Sequence, residues 1–137
     1  MIGLQNAKFH ALLPPIDING VTATDTEIDT IGFQYLTVVI MTGNITAVTL
    51  TTLKLQEADA AAGGADFTTG TFTAPTATDD NKIFTAFIDL RKRKRYISLV
   101  ATQGAGICLI SALGILEHAV ESPDNITERG LAEQLIP

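Results

Sequence analysis

The sequence predicts an all-β protein, an antiparallel β-sandwich of jelly-roll type with extended N- and C-terminal arms, on three observations. Val, Ile and Thr dominate the middle of the chain, and branched side chains suit a pleated surface better than a helical one. Apolar residues alternate with a period of two over several short stretches. Segments rich in Gly, Pro and Asp punctuate those stretches, and none carries a long helical stripe. At 137 residues the chain fits one domain, able to bury about two-thirds of its unfolded surface. It reads as an N-terminal arm at 1–20, a sandwich at 21–120 and a C-terminal arm or short helix at 121–137.

The elements follow in order. Ala11–Gly20 (ALLPPIDING) is read as an irregular extended arm, because Pro14 and Pro15 offer no N–H to a ladder. In Gln34–Met41, Leu36, Val38 and Ile40 share one face, with Tyr35, Val39 and Met41 on the other. Both faces are apolar, as in a central strand, and Thr42-Gly43-Asn44 is read as the turn that ends it. Between Thr46 and Glu57, Val48 and Leu50 lie in one phase and Leu53 and Leu55 in the other. A bulge near Thr51–Thr52 would return all of them to one face. Ala58–Asp66 is a small-residue loop, Phe67–Thr73 a short strand anchored by Phe67 and Phe72, and Pro75–Asn81 a polar loop. Ile83–Leu90 alternates with Phe84, Ala86, Ile88 and Leu90 on one side, and Tyr96–Thr102 with Ile97, Leu99 and Ala101. The cations between them read as a solvated hairpin connection. Ile107–Val120 is apolar on both faces and so predicts a doubly buried strand. Ser122-Pro123-Asp124 has the form of a helix start for Ile126–Leu135.

Composition excludes several classes. With 46% hydrophobic residues, a mean hydropathy of +0.27 and 18% charged residues, the chain is too apolar for intrinsic disorder. No apolar run reaches the length of a membrane-spanning helix, and Met1–Lys8 lacks the pattern of a signal peptide. The surplus of apolar residues predicts burial between subunits. A single cysteine, Cys108, excludes an internal disulfide and a multi-cysteine metal site. Lys and Arg number 9 against 15 Asp and Glu, a net charge of −6. Most of the cations sit in Arg91-Lys92-Arg93-Lys94-Arg95. An acidic body with one basic spot, no Trp and 6% aromatics is a poor nucleic-acid binder and offers few stacking platforms.

No constellation of catalytic type emerges, and the chain reads as a non-enzyme without cofactor or metal. Cys108 lies in an apolar strand, where a free cysteine acts as a small hydrophobe. Glu117 and His118 are strand neighbours that point to opposite faces, and His10 falls in the arm. Asp59, Asp66, Asp79 and Asp80 lack the alternation of a calcium loop. Gly63-Gly64 and Gly104-Ala105-Gly106 lack the lysine and the strand–helix setting of a phosphate loop. The basic run reads as a solvated turn, as a contact for an acidic partner surface or a neighbouring copy, or, least favoured, as a nuclear signal or nucleic-acid patch.

Several segments carry a resemblance: Leu53-Lys-Leu-Gln-Glu-Ala-Asp59 running into a Gly-rich loop, Asp79-Asp-Asn-Lys-Ile-Phe84, Ile88-Asp-Leu-Arg-Lys-Arg-Lys-Arg-Tyr96, Ile28-Asp-Thr-Ile-Gly-Phe33 and Glu128-Arg-Gly-Leu-Ala132. Together these resemble small tailed-phage structural proteins, in particular the capsid decoration (cement) family, from about residue 12 onward. The resemblance implies a β-sandwich or jelly roll that oligomerises and binds the outer capsid. Its expected partners are the major capsid protein and itself, as homotrimer or homodimer, with no nucleic acid or membrane. The expected location is the outer surface of a virion assembled in the bacterial host cytoplasm. No catalytic residue comes with it. Candidate contact residues are Leu12, Leu13, Pro14 and Pro15 of the arm, Arg91, Lys92, Arg93, Lys94 and Arg95 of the basic run, and the apolar Ile107, Leu109, Leu135 and Ile136. Competing readings are a head–tail joining or tail subunit, or a small carbohydrate-binding β-sandwich using Tyr35 or Tyr96.

Overall fold

Apolar side chains two residues apart put one face of each strand inward, and the chain must then bring two such faces together. The computed structural model describes residues 6–20, 22–24, 27–46, 50–104, 106–120 and 127–135. It contains strands β1 (Lys8–Asp17), β2 (Thr22–Thr24), β3 (Ile28–Asp29), β4 (Tyr35–Ile45), β5 (Leu50–Ala58), β6 (Ala65–Thr71), β7 (Ile83–Asp89), β8 (Tyr96–Gln103) and β9 (Cys108–Glu117). The first sheet has the order β1-β9-β4-β7, the second β2-β8-β5-β6, with β3 also paired to β8. Every pairing is antiparallel. The pairs β1·β9, β2·β8, β4·β7 and β5·β6 nest like one long hairpin, and β4·β9 with β5·β8 roll it into two sheets. This is the jelly-roll order, and the predicted all-β sandwich is what forms.

The core lies between the sheets. Leu36, Val38 and Ile40 of β4 are fully buried in one cluster with Leu53 and Leu55 of β5 and Ile97 and Leu99 of β8. Each such side chain contributes about 1.5–3 kcal/mol. The phase change in β5 is resolved by a register shift between Leu50 and Thr52. Thr51 is the extra residue, so Leu50, Leu53 and Leu55 all point inward. Val48 lies outside the described residues.

Four expectations are corrected. Residues 8–17 are not an irregular arm but strand β1, hydrogen-bonded along β9. The prolines are tolerated because β1 is an edge strand and they fall in the gap between the paired residues Leu13 and Ile16. The sandwich therefore begins at Lys8 rather than at residue 21. Thr42-Gly43-Asn44 does not end β4, which continues to Ile45 through an irregularity in its pairing with β9. The Thr42 hydroxyl donates to the Asp79 carbonyl at 2.7 Å, and Asp80 Oδ1 accepts from Ile45 N at 2.7 Å, so the 75–81 loop props the strand where a turn would have formed. The basic run is not a hairpin, since β7 and β8 belong to different sheets. Finally, β9 is buried on one face only.

No helix forms over the described part of Ile126–Leu135; residues 127–130 are a turn and the rest is irregular. Ser122-Pro123-Asp124 lies outside the described residues. That turn covers part of the open edge of β1: Phe9 N donates to the Arg129 carbonyl at 2.7 Å, and buried Arg129 Nε donates to the Ala7 carbonyl at 3.2 Å. Gly130 makes the approach possible. Its φ of +72° is left-handed, and a Cβ there would stand 2.0 Å from the Phe9 carbonyl oxygen. Gly130→Ala should therefore destabilise the fold by about 2–3 kcal/mol. A thermal melt should show a fall of several degrees, and an unchanged melting temperature would mean this turn does not hold β1.

Candidate functional site

The strand residues one position off the core phase form the outer face of the first sheet, and they are unusually apolar. Pairing aligns them in rows. One row is Phe87–Thr37–Ile115–Phe9, the next Thr85–Val39–Leu113–Ala11, and the next Ile83–Met41–Ser111. None of these residues is ionisable, whereas a solvated outer face of an antiparallel sheet normally carries polar and charged groups. Phe87 is 81% exposed, Ile83 65% and Met41 50%. Leu109 extends the patch, beside a depression of about 350 Å³ that includes Pro15, Ile16, Gly43 and Ser111. Gly43 sets the floor there, because a Cβ at this position would lie 3.0 Å from Leu109 Cβ. Charge returns only at the borders, with Asp89 and Glu117 flanking Tyr35 at one end and Asp17 opposite Leu109 at the other.

The basic run lies at the Asp89 end, in the crossing from β7 to β8. Asp89 caps a 3-10 turn at Leu90–Lys92, accepting from Arg91 N at 3.1 Å. It also receives Arg91 Nε at 2.9 Å and Nη2 at 2.7 Å. Arg95 grips Asp29 of β3 through two hydrogen bonds of 2.8 Å. Lys94 pairs with Asp59 at 2.9 Å, and Arg93 approaches Glu57 of β5 at 3.7 Å while covering the Phe67 ring. The cations are thus largely neutralised within the chain, by acids from three separate strands or their ends. Exposed pairs of this kind are each worth less than about 1 kcal/mol, and the two-pronged arginine pairs are the better ones.

The other predicted contact residues scatter. Leu12 and Leu13 are core residues, 0% and 4% exposed, so they are not available as a contact surface. Pro14 and Pro15 are exposed on β1. Ile107 and Leu109 are 40% and 43% exposed, and Leu135 83%. Ile136 lies outside the described residues. Only Leu109 and Pro15 belong to the apolar face or its depression. Sequence reading missed Phe87 and Ile83, although the alternation of Ile83–Leu90 puts both opposite Phe84, Ala86 and Ile88. It noted the outward phase of Val39 and Met41 but took it for burial inside a central strand.

The candidates for chemistry stand apart. Cys108 is fully buried, and loss of solvation, with Asp17 nearby, pushes its thiol up to about 11. His118 has a left-handed φ of 55° and meets the Tyr35 ring edge-on at 5.2 Å. His10 Nε2 is buried with no hydrogen-bond partner among the described residues. Asp79 accepts from Thr76 N at 2.8 Å. Among the described residues, no three His, Cys, Asp or Glu side chains gather as metal ligands. The rings of Tyr35 and Tyr96 are covered by Arg91 and Arg95, with guanidinium carbons 5.4 and 5.0 Å from the ring centres. Grooves of about 200 and 270 Å³ run along the open side of the sandwich between β6 and β7, past Leu55, Thr69, Ala86 and Phe87.

Comparison with known protein families and with curated proteins finds no match to this chain.

Two predictions follow from the site's chemistry. At pH 8 the Cys108 thiol should be inert to a chromogenic disulfide reagent until the protein unfolds, so rapid labelling of the native chain would contradict its burial. The Arg95 guanidinium holds the Asp29 carboxyl below its ordinary range, and Arg91 holds Asp89 down at about 2. A depressed carboxylate stabilises the fold above its unfolded value near 4, and that contribution is lost as pH falls through the folded value. Unfolding measured from pH 5 to 2 should therefore show an acid limb that becomes shallower in Asp29→Asn and Asp89→Asn. Limbs identical to wild type would remove these pairs from the stability of the crossing.

Proposed function

We propose that this chain is a non-enzymatic structural virion protein that binds the outside of a phage capsid and stabilises it as a homo-oligomer, with the major capsid protein as its partner. The observation that carries this reading is the uncharged apolar outer face of the first sheet. An exposed apolar patch of several hundred Å² marks an association surface rather than a solvated one. Cementing a shell calls for broad contact area, and many copies on one shell multiply weak contacts through avidity.

Two further points support it. Jelly-roll sandwiches are common among viral capsid and lectin domains, so the strand order suits the reading without deciding it. Three of the five segments that carry the resemblance to decoration proteins also meet in space. Asp29 from Ile28–Phe33, Glu57 and Asp59 from Leu53–Asp59, and the cations of Ile88–Tyr96 form one knot of ion pairs. The carbohydrate alternative is weakened because Tyr35 and Tyr96 already stack with arginines rather than presenting open rings.

Light scattering of the purified protein, alone and mixed with undecorated capsid shells, tests the proposal. The expected result is a defined oligomer that co-sediments with shells in many copies and raises their melting temperature. Protein that ignores shells would overturn it, and a single ring of copies per virion would move the assignment to a head–tail joining part.

A further inference from the structure

We infer that the outer face of the first sheet is the self-association surface: a second copy of this chain stacks on it, sheet against sheet, about a two-fold axis. The inference deepens the proposed function by assigning its homo-oligomer to one face, and it rests on that reading only for the expectation of more than one copy.

Charge is the first argument. The chain carries a net charge of −6, so two copies repel unless their contact avoids like charges. The rows through Phe87, Val39 and Met41 contain no ionisable side chain, while Asp89, Glu117 and Asp17 lie at the ends of the face. A partner recognised by charge would find nothing to pair with over those rows. A second acidic copy meets no like charge over those rows, so the net charge of the chain does not bar it from this face.

Size is the second argument. Four strands about 4.8 Å apart, with side-chain rows about 7 Å apart along them, give the face roughly 500 Å² in projection. Accessible surface exceeds projection because side chains stand in relief. The patch is therefore of the order needed for a stable interface, about 800 Å² per partner. An isologous contact uses the same face of both copies and closes on itself, so the dimer would meet a shell through surfaces other than this face. Side chains from the two faces would interdigitate as they do between the sheets of one sandwich, about 10 Å apart. Phe87 and Ile83 are the most exposed large apolar side chains of these rows, at 81% and 65%, and both lie on the β7 margin.

The test is the mass of the free protein across a dilution series, for the wild type and for Phe87→Glu, Ile83→Glu and Val120→Glu. Wild type is expected at twice its 14.5 kDa chain mass. Phe87→Glu should weaken the dimer at least about 100-fold by placing unpaired charges in the contact. Val120 is equally apolar and 80% exposed but lies beyond the Glu117 end of β9. Its variant should dimerise like wild type. Both test side chains are largely exposed, so the folds should survive, and if Phe87→Glu fails to melt cooperatively, Ile83→Glu reads the same contact. A monomeric wild type, or an oligomer indifferent to Phe87→Glu and Ile83→Glu, overturns the inference. Shell co-sedimentation is scored separately: a monomer that binds shells through this face would sink the dimer while leaving the capsid role standing. A dimer that ignores shells would do the reverse.

Discussion

The contact between Ile28 and Gly114 fixes the register on which the outer surface depends. Ile28, from the short β3 of the second sheet, reaches across the core to β9 of the first. A Cβ on Gly114 would stand 2.2 Å from Ile28 Cδ1. Sheets usually choose their register by polarity, because a slip of one residue exposes the apolar face. In β9 that signal is weak, since Leu109, Leu113 and Ile115 on one face are as apolar as Ile110 and Leu116 on the other. Size supplies what polarity does not. The inward face narrows to Ala112 and Gly114 where Ile28 enters, and a slip would bring Leu113 or Ile115 into that space. Leu109, Leu113 and Ile115 are left outward for a steric reason, and the apolar outer face follows from it.

The second constraint is electrostatic and acts at the other end of the roll. The crossing from β7 to β8 must pass between sheets, leaving β7 after Asp89 and joining β8 at Tyr96. It does so on a string of cations, each exposed pair weak alone but anchored to a different neighbour. Asp89 holds the exit, Glu57 and Asp59 hold the middle against the end of β5, and Asp29 holds the arrival beside β3. Placing Asp29 there also steadies β3, whose two residues carry Ile28. The ion pairs and the Ile28 plug thus support the same short strand, one from outside and one from the core.

Much of this was legible in the sequence, and the failures share a cause. The phase break in Thr46–Glu57 revealed the bulge at Thr51 because a strand cannot change faces unaided. Tyr96–Thr102 and Ile83–Leu90 were legible because their alternation is clean. Pro14 and Pro15 misled because a lost N–H forbids an interior strand but costs little on an edge, and edge position is a property of topology. Thr42-Gly43-Asn44 misled because its turn chemistry is overridden by Asp80 and the Asp79 carbonyl, which lie some 35 residues away in sequence. The partners of Arg91–Arg95 were out of reach for the same reason, since Arg95 and Asp29 are separated by 66 positions. Local pattern shows which side chains alternate; it does not show what stands opposite them.

The same distinction explains the misreading of β9. Apolar residues on both faces of a strand normally mean that both faces are covered within the chain. Here the roll supplies one cover only, because the second sheet lies on the inner side and no helix or loop among the described residues crosses the outer rows. The sequence pattern still describes a strand meant to be covered twice. With the register held by Ile28 and Gly114, the chain cannot relieve the outer face by rotating β9 or shifting its partners, since β1 and β4 are both locked to it. In the proposed dimer the second cover comes from another copy of the chain. An acidic chain that keeps charge off this one surface has the composition that such a contact requires.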